Sequence, residues 1–256
     1  LLPEKLATET ESLAKQMASS ITLGMGQFCT NPGLMVAIDD KSLDKFIIHL
    51  KREIEAVTPA KMLHQGIATN FNEKLEKALT QKGVQLIGQT DDTQAGDKVL
   101  ISVATTSGKT FLANPVLHQE VFGPYSLIIQ CENEKEMLAV AKAMEGQLTA
   151  TLMATSKDIK NHQQLLDEVQ EICGRFIFNN VPTGVEVVLA MHHGGPYPAS
   201  TDGRFTSVGA DGIKRFARPM SYQNWDDEFL PNELKNVNPL GIWRTVNNEL
   251  TKNQIN

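Results

Sequence analysis

Residues 125–179 read YSLIIQCENEKEMLAVAKAMEGQLTATLMATSKDIKNHQQLLDEVQEICGRFIFN, and this stretch decides the fold class. Ser126-Leu127-Ile128-Ile129-Gln130 reads as a strand, 134–144 as a helix, 149–154 as a strand, 157–171 as a helix and 175–179 as a strand. Strands alternating with helices of this length predict βαβ units, because a parallel pair needs a crossover long enough to cover a sheet face. The expected class is α/β, a largely parallel sheet flanked by helices.

Working outward, Leu6, Leu13, Met17 and Ile21 fall on one helical face and predict a helix over 6–23, closed by the turn Leu23-Gly24-Met25-Gly26. Leu34-Met35-Val36-Ala37-Ile38 follows Asn31-Pro32-Gly33 as a buried strand. Helical spacing returns over 42–54 and over about 66–82. Strands are expected at 84–87 and 99–103, around the polar turn Thr90-Asp91-Asp92-Thr93. Downstream, residues 181–210 carry eight glycines and prolines with little periodicity and predict a long ordered loop, of the kind that is usually functional. A short helix is expected within 207–217 and an edge strand at Pro219-Met220-Ser221-Tyr222. Beyond Trp225 the polar chain offers no second core.

The 256 residues are 41% hydrophobic, enough for one sizeable core, and carry a net charge of −6. A nucleic-acid partner needs the opposite balance, and Lys51-Arg52 and Lys214-Arg215 are isolated pairs, so none is expected. No window has the 18 consecutive apolar residues of a membrane span, and no basic, then apolar, leader opens the chain. Cys29, Cys131 and Cys173 form neither an even set nor a CxxC pair, which fits reduced thiols and a cytoplasmic location.

Three segments carry chemistry. In Gly26-Gln27-Phe28-Cys29-Thr30 the flanking glycine lets backbone approach a substrate, and the thiol's own N–H can face a developing oxyanion. The plain alternative is a cysteine packed as a small hydrophobe. In Gln119-Glu120-Val121-Phe122-Gly123-Pro124 the acid and the ring lie on one side of an extended segment, where a carboxylate can accept from sugar hydroxyls and a ring can cover a flat heterocycle. An exposed glutamate beside a core phenylalanine reads equally from that pattern. The third comprises Asn179 and the loop His192-His193-Gly194-Gly195-Pro196. Neighbouring histidines point to different sides and no further ligands accompany them, so no metal site is expected, while a histidine near a thiol can carry its proton.

Together these segments resemble the C-terminal half of the aldehyde dehydrogenase superfamily. Residues 26–30 are similar to its catalytic-cysteine segment, 120–124 to its cofactor-ribose motif, and Asn179 to its strand-end asparagine. The loop 192–196 and the tail Arg218-Pro219-Met220-Ser221-Tyr222-Gln223-Asn224-Trp225 resemble those of the bacterial 2,5-dioxopentanoate (α-ketoglutarate semialdehyde) and NADP-preferring fatty aldehyde dehydrogenases.

The resemblance implies a Cys29 nucleophile forming a thiohemiacetal and then a thioester, Glu120 and Phe122 toward NADP or NAD, and Phe28, Thr30, Asn179 and His193 lining the pocket of a small-molecule aldehyde. His193 stands where many relatives carry an aromatic residue and is a second catalytic candidate. The resemblance further implies a catalytic domain over 1–218, an oligomerisation tail over 219–256 pairing like subunits, and a Rossmann-like cofactor domain outside this chain. The chain opens on Leu1, no glutamate before Cys29 is followed by Leu-Gly, and no phosphate loop follows a strand. The general base and one oxyanion donor are therefore expected from another part of a longer enzyme, leaving this chain inactive by itself. Two other classes fit the residues alone: a cysteine hydrolase or acyltransferase using Cys29 and His193, and a non-catalytic assembly module.

Overall fold

The computed structural model describes every residue except 92, 94–97, 185 and 256, so the expected turn at Asp92 and one position of the long loop lie outside the described residues. Two compact units divide the chain, Leu1–Arg215 and Phe216–Asn256, three residues from the boundary expected after 218.

The first unit runs α1 (Pro3–Thr22), β1 (Leu34–Ile38), α2 (Lys41–Glu55), α3 (Gln65–Leu79), β2 (Val84–Gln89), β3 (Ser102–Ser107), α4 (Gly108–Ala113), β4 (Tyr125–Cys131), α5 (Glu134–Ala143), β5 (Gln147–Leu152), α6 (Ser156–Asn161), α7 (Gln163–Glu171) and β6 (Cys173–Phe178). One sheet has the order β1-β4-β3-β2, with β4 parallel to both β1 and β3, and β2 antiparallel to β3. β5 and β6 form a separate parallel pair. The α/β class with a largely parallel sheet and flanking helices stands as expected, but its strands fall into two sheets.

β4 is the axis of the larger sheet. Leu127, Ile128, Ile129 and Cys131 are all buried, as a strand covered on both faces requires, and the buried Ser126 hydroxyl donates to the Pro32 carbonyl. α2 starts where the Asp40 carboxylate accepts from the N–H groups of Ser42 and Leu43, a cap worth about 1 kcal/mol. It buries Leu43, Phe46, Leu50 and Ile54, which join Leu6, Leu13, Met17 and Ile21 of α1 in one core.

Three expectations need correction. The strand read at 99–103 lies at Ser102–Ser107; Val99 makes only an isolated bridge to Ala60. Hydrophobicity pointed three residues too early because the buried hydroxyls of β3 find partners: Thr106 Oγ1 donates to the Gly83 carbonyl and Ser102 Oγ accepts from Gln89. The helix read over 157–171 breaks at His162 (φ −120°, ψ 36°), whose ring is held by Glu134 Oε1 at 2.8 Å. Residues 219–222 form no strand, since no neighbouring segment pairs with them. The second unit instead carries a short hairpin, β7 (Arg244–Val246) with β8 (Glu249–Thr251), and among its described residues no hydrophobic side chain is buried.

Asp158 joins the start of the chain to α6. Its Oδ1 accepts from Glu4 N, and Oδ2 accepts from Lys5 N, Thr155 N and Thr155 Oγ1, all at 2.9–3.0 Å. Burial pushes the carboxyl's pKa up, but these donors outweigh it and hold the pKa below its ordinary value. The contribution is therefore complete above the unfolded pKa of about 3.9 and is lost as pH falls through the lower folded value. Asp158→Asn places an NH₂ against N–H donors and is expected to cost about 2 kcal/mol in urea unfolding at pH 7. The variant and the parent should converge as pH falls through the lowered carboxyl pKa; a constant gap would contradict this origin of the stability.

Candidate active site

α1 hands the chain to a 3₁₀ turn, Leu23–Gly26, in which Gly24, Met25 and Gly26 all take left-handed φ of 55°, 58° and 64°. A Cβ on Gly26 would overlap the Gly123 carbonyl, so this glycine is required for two backbones to touch. Gln27 braces the turn from both ends of its amide, donating to the Gly24 carbonyl at 2.9 Å and accepting from Leu63 N at 3.0 Å. Asn31 N closes on the Phe28 carbonyl at 3.2 Å, and Asn31 Nδ2 donates to the Gly123 carbonyl at 3.1 Å. Cys29 is left exposed at the tip, while the buried Thr30 hydroxyl donates to the Pro182 carbonyl at 3.2 Å.

The same contacts bring up the second motif. Gly123 has φ 150°, and a Cβ there would run into the Phe71 ring. Glu120 is exposed and its carboxylate takes no hydrogen bond among the described residues; Phe122 is half-buried. A cavity of about 1040 Å³ is lined by Phe28, Cys29, Thr30, Glu120, Phe122 and Pro182, among others. Two motifs about ninety residues apart thus open on one space.

Asn179 and His193 do not line that cavity. Asn179 has φ 51° at the end of β6, and its amide is fully engaged, Oδ1 accepting from Ala154 N and Nδ2 donating to the Ala154 carbonyl, each at 2.8 Å. It positions the chain that carries Pro182. His193 is held through its backbone, its N–H on Thr206 Oγ1 and its carbonyl on Ser207. The glycine-rich loop behind it packs on the sheet, the Gly194 carbonyl against Gly174 and Gly195 against the Gln147 carbonyl. No hydrogen bond joins Cys29 to His193 among the described residues.

Arg175 was not singled out by its sequence. In β6, it donates to the Pro182 carbonyl at 2.8 Å and approaches Met191 Sδ at 3.6 Å, leaving Nε buried without a partner. Burial lowers its pKa, and the nearby Cys29 thiolate opposes that change. Burial also lowers the His193 pKa, with Arg175 and His192 adding to the effect, which favours the neutral imidazole. A lone cation between Gly174 and the apolar run Phe176-Ile177-Phe178 was the available signal. Among the described residues no group of three or more His, Cys, Asp or Glu is placed to hold a metal, and no helix is long and apolar enough to cross a membrane.

Residues 7–221 match the family model described as the aldehyde dehydrogenase family. The chain belongs to that family. It is 41% identical over 244 residues to alpha-ketoglutaric semialdehyde dehydrogenase 2 of Azospirillum brasilense, covering 95% of this chain and 46% of that one. It is 39% identical over 264 residues to alpha-ketoglutaric semialdehyde dehydrogenase of Acinetobacter baylyi, covering 99% and 48%. This aldehyde dehydrogenase family chain therefore spans about half the length of these curated relatives. Among solved structures, succinic semialdehyde dehydrogenase from Streptococcus pyogenes in complex with NADP+ aligns with a TM-score of 0.57 and 22% identity over 72% of this chain and 40% of its own. Proline utilization A from Bdellovibrio bacteriovorus aligns with a TM-score of 0.60 and 17% identity over 73% and 19%. At these identities the likeness concerns the fold.

The three thiols differ in environment. Burial pushes Cys131 up to about 12 and also raises Cys173, whereas Cys29 is exposed on its loop. Mass-mapped iodoacetamide labelling at pH 7.5 is expected to modify Cys29 at least about 10-fold faster than the other two. Preferential modification of Cys131 or Cys173 in the folded chain would remove Cys29 as the reactive thiol.

Proposed function

We propose that this chain is the thiol-bearing half of an NAD(P)-dependent aldehyde dehydrogenase that oxidises a semialdehyde, with α-ketoglutaric semialdehyde as the foremost candidate. The observation carrying this reading is the packing of Gly26 and Asn31 on Gly123, which opens Cys29, Glu120 and Phe122 onto one cavity. The names of the two curated relatives support the substrate class.

In this reading the Cys29 thiolate attacks the aldehyde carbon, forming a C–S bond, and the carbonyl oxygen becomes the thiohemiacetal hydroxyl. The Cys29 N–H serves as one donor to that oxygen while it carries charge. When bound, the nicotinamide cofactor supplies the acceptor for the hydride, and a thioester remains on Cys29. Water then adds to the thioester carbonyl, the C–S bond breaks, and the carboxylate leaves the regenerated thiol. Glu120 fits the cofactor because its unpaired, exposed carboxylate can accept from ribose hydroxyls beside Phe122. The base that activates water, the second oxyanion donor and the phosphate cradle belong, in this proposal, to the half of the relatives that the chain does not span. Three free cysteines support a reducing, cytoplasmic setting.

A chimera joining the N-terminal half of the Azospirillum brasilense relative to Leu1 tests the proposal. With α-ketoglutaric semialdehyde and NADP it is expected to form NADPH, and Cys29→Ala should lower the rate by about 10³-fold or more. The 256-residue chain alone should remain at background. Cofactor reduction that survives Cys29→Ala, or that the single chain performs, would overturn the assignment.

The tail exposes Met220 (62%), Tyr222 (38%) and Trp225 (56%), with Tyr222 and Trp225 stacked edge to face at 5.8 Å. We propose that this stretch pairs two copies of the chain, since aromatic side chains left in water favour an interface. Light scattering is expected to give a larger mass for the complete chain than for one ending at Arg218. Two monomers would refute the pairing.

A further inference from the structure

Arg175 sits in β6 as a half-buried guanidinium whose polar needs are mostly unmet. Nη2 donates to the Pro182 carbonyl at 2.8 Å, Nη1 reaches only the Met191 thioether at 3.6 Å, and Nε is buried with no partner. A thioether is a weak acceptor, so the N–H donors of this side chain share one firm hydrogen bond. No aspartate or glutamate pairs with Arg175 among the described residues. A cation taken partly out of water without a counter-charge is costly, and an anion that completes the site offsets that cost.

Bracing the Pro182 carbonyl does not account for a charged side chain here. The buried Thr30 hydroxyl already donates to that oxygen at 3.2 Å, and a neutral amide would supply a second N–H with less desolvation. What the arginine adds is its charge and the place of that charge. Thr30 adjoins Cys29 in the chain, and Cys29, Thr30 and Pro182 line one cavity, so the guanidinium stands one residue back from a wall that the thiol shares. Met191 is partly exposed, and its unbranched side chain can swing off Nη1 and leave the Nη pair to take a carboxylate as a fork.

The titratable side chains that do line the cavity are less suited to an anion. Lys74 shares a small crevice with Glu120, whose carboxylate repels a second one, and Glu145 is itself negative. His118 is stacked on Phe111 at 4.0 Å and bonds the Phe111 carbonyl through Nε2. Burial, with Arg175 and His192 adding to it, keeps His193 toward the neutral form, so this histidine brings no competing charge at neutral pH.

We propose that Arg175 is a specificity-determining residue, the cation that holds the carboxylate end of an anionic aldehyde while the aldehyde end meets Cys29. The proposal rests on the reading of Cys29 as the nucleophile, and it selects acids that carry an aldehyde over uncharged aldehydes of the same length. The carboxylate is bound without reacting, and no bond to it forms or breaks.

Two maleimides of matched reach test this in the 256-residue chain. Maleimidopropionate carries a carboxylate a few bonds from its reacting carbon, as a semialdehyde does, and N-ethylmaleimide is uncharged. The quantity read is the ratio of their rates at Cys29, mapped by mass. Arg175→Gln is expected to lower that ratio at least about 3-fold, and Arg175→Lys, which keeps the charge, to stay within about 2-fold of the parent. An unchanged ratio in Arg175→Gln would overturn the proposal, because loss of a merely structural brace alters both rates together. A ratio in Arg175→Lys as low as in Arg175→Gln would also overturn it, by removing charge as the cause. Should Arg175→Gln not fold, salt reads the same charge in the parent: raising NaCl from about 20 mM to about 500 mM is expected to lower the ratio, since screening weakens attraction. The chain's net charge of −6 repels the anionic reagent and acts in the opposite direction, so a flat or rising ratio would count against Arg175. N-ethylmaleimide that prefers Cys131 or Cys173 would instead strike the reading of Cys29 itself, and this proposal with it.

Discussion

The Gly123 carbonyl occupies the space where residue 26 would carry a side chain, and the geometry of the candidate site follows from that constraint. Two backbones touch there only because residue 26 is glycine at φ 64°, and the preceding turn reaches this conformation only by putting Gly24 and Met25 in the same left-handed region. Asn31 then donates to the same carbonyl, which also accepts from Tyr125 N at the start of β4. One oxygen thus ties the cysteine loop, the Glu120 segment and the central strand of the sheet. The thiol sits on a loop, but the loop is fastened to the most buried strand of the molecule.

A second set of contacts fixes the far wall. The Asn179 amide clamps the Ala154 backbone, its left-handed φ turns the chain out of β6, and the Pro182 carbonyl then accepts from both Thr30 and Arg175. The buried Ser20–Thr183 hydroxyl pair, 2.9 Å apart, joins this segment to α1. Polar groups hold this wall where apolar packing would have no direction, and buried hydroxyls and amides of this kind are costly unless paired. Arg175 is the exception, since its Nε remains buried and unsatisfied. Its placement, with the neutral tendency of His193, makes this corner electrostatically different from the exposed thiol tip.

The sequence by itself determined the elements whose signal is local. Apolar runs at 34–38 and 126–130 and helical faces over 42–54 and 134–144 became β1, β4, α2 and α5 within a residue or two, because buried strands and amphipathic helices are written in the spacing of their own side chains. It also marked Cys29, Glu120 and Phe122, since glycine beside a reactive group and an acid near a ring are chemical statements of a few residues. β3 was displaced because Ser102, Thr105 and Thr106 look solvent-facing until Gly83 and Gln89 satisfy two of their hydroxyls.

Only the tertiary structure decided what depends on residues distant in the chain. It brought residue 26 to residue 123, gave the Asn179 amide to Ala154 and kept His193 out of the Cys29 cavity. Spacing along a chain fixes which face of an element is apolar, whereas the distance between two elements is set by what packs between them; here a missing Cβ at Gly26 sets that distance.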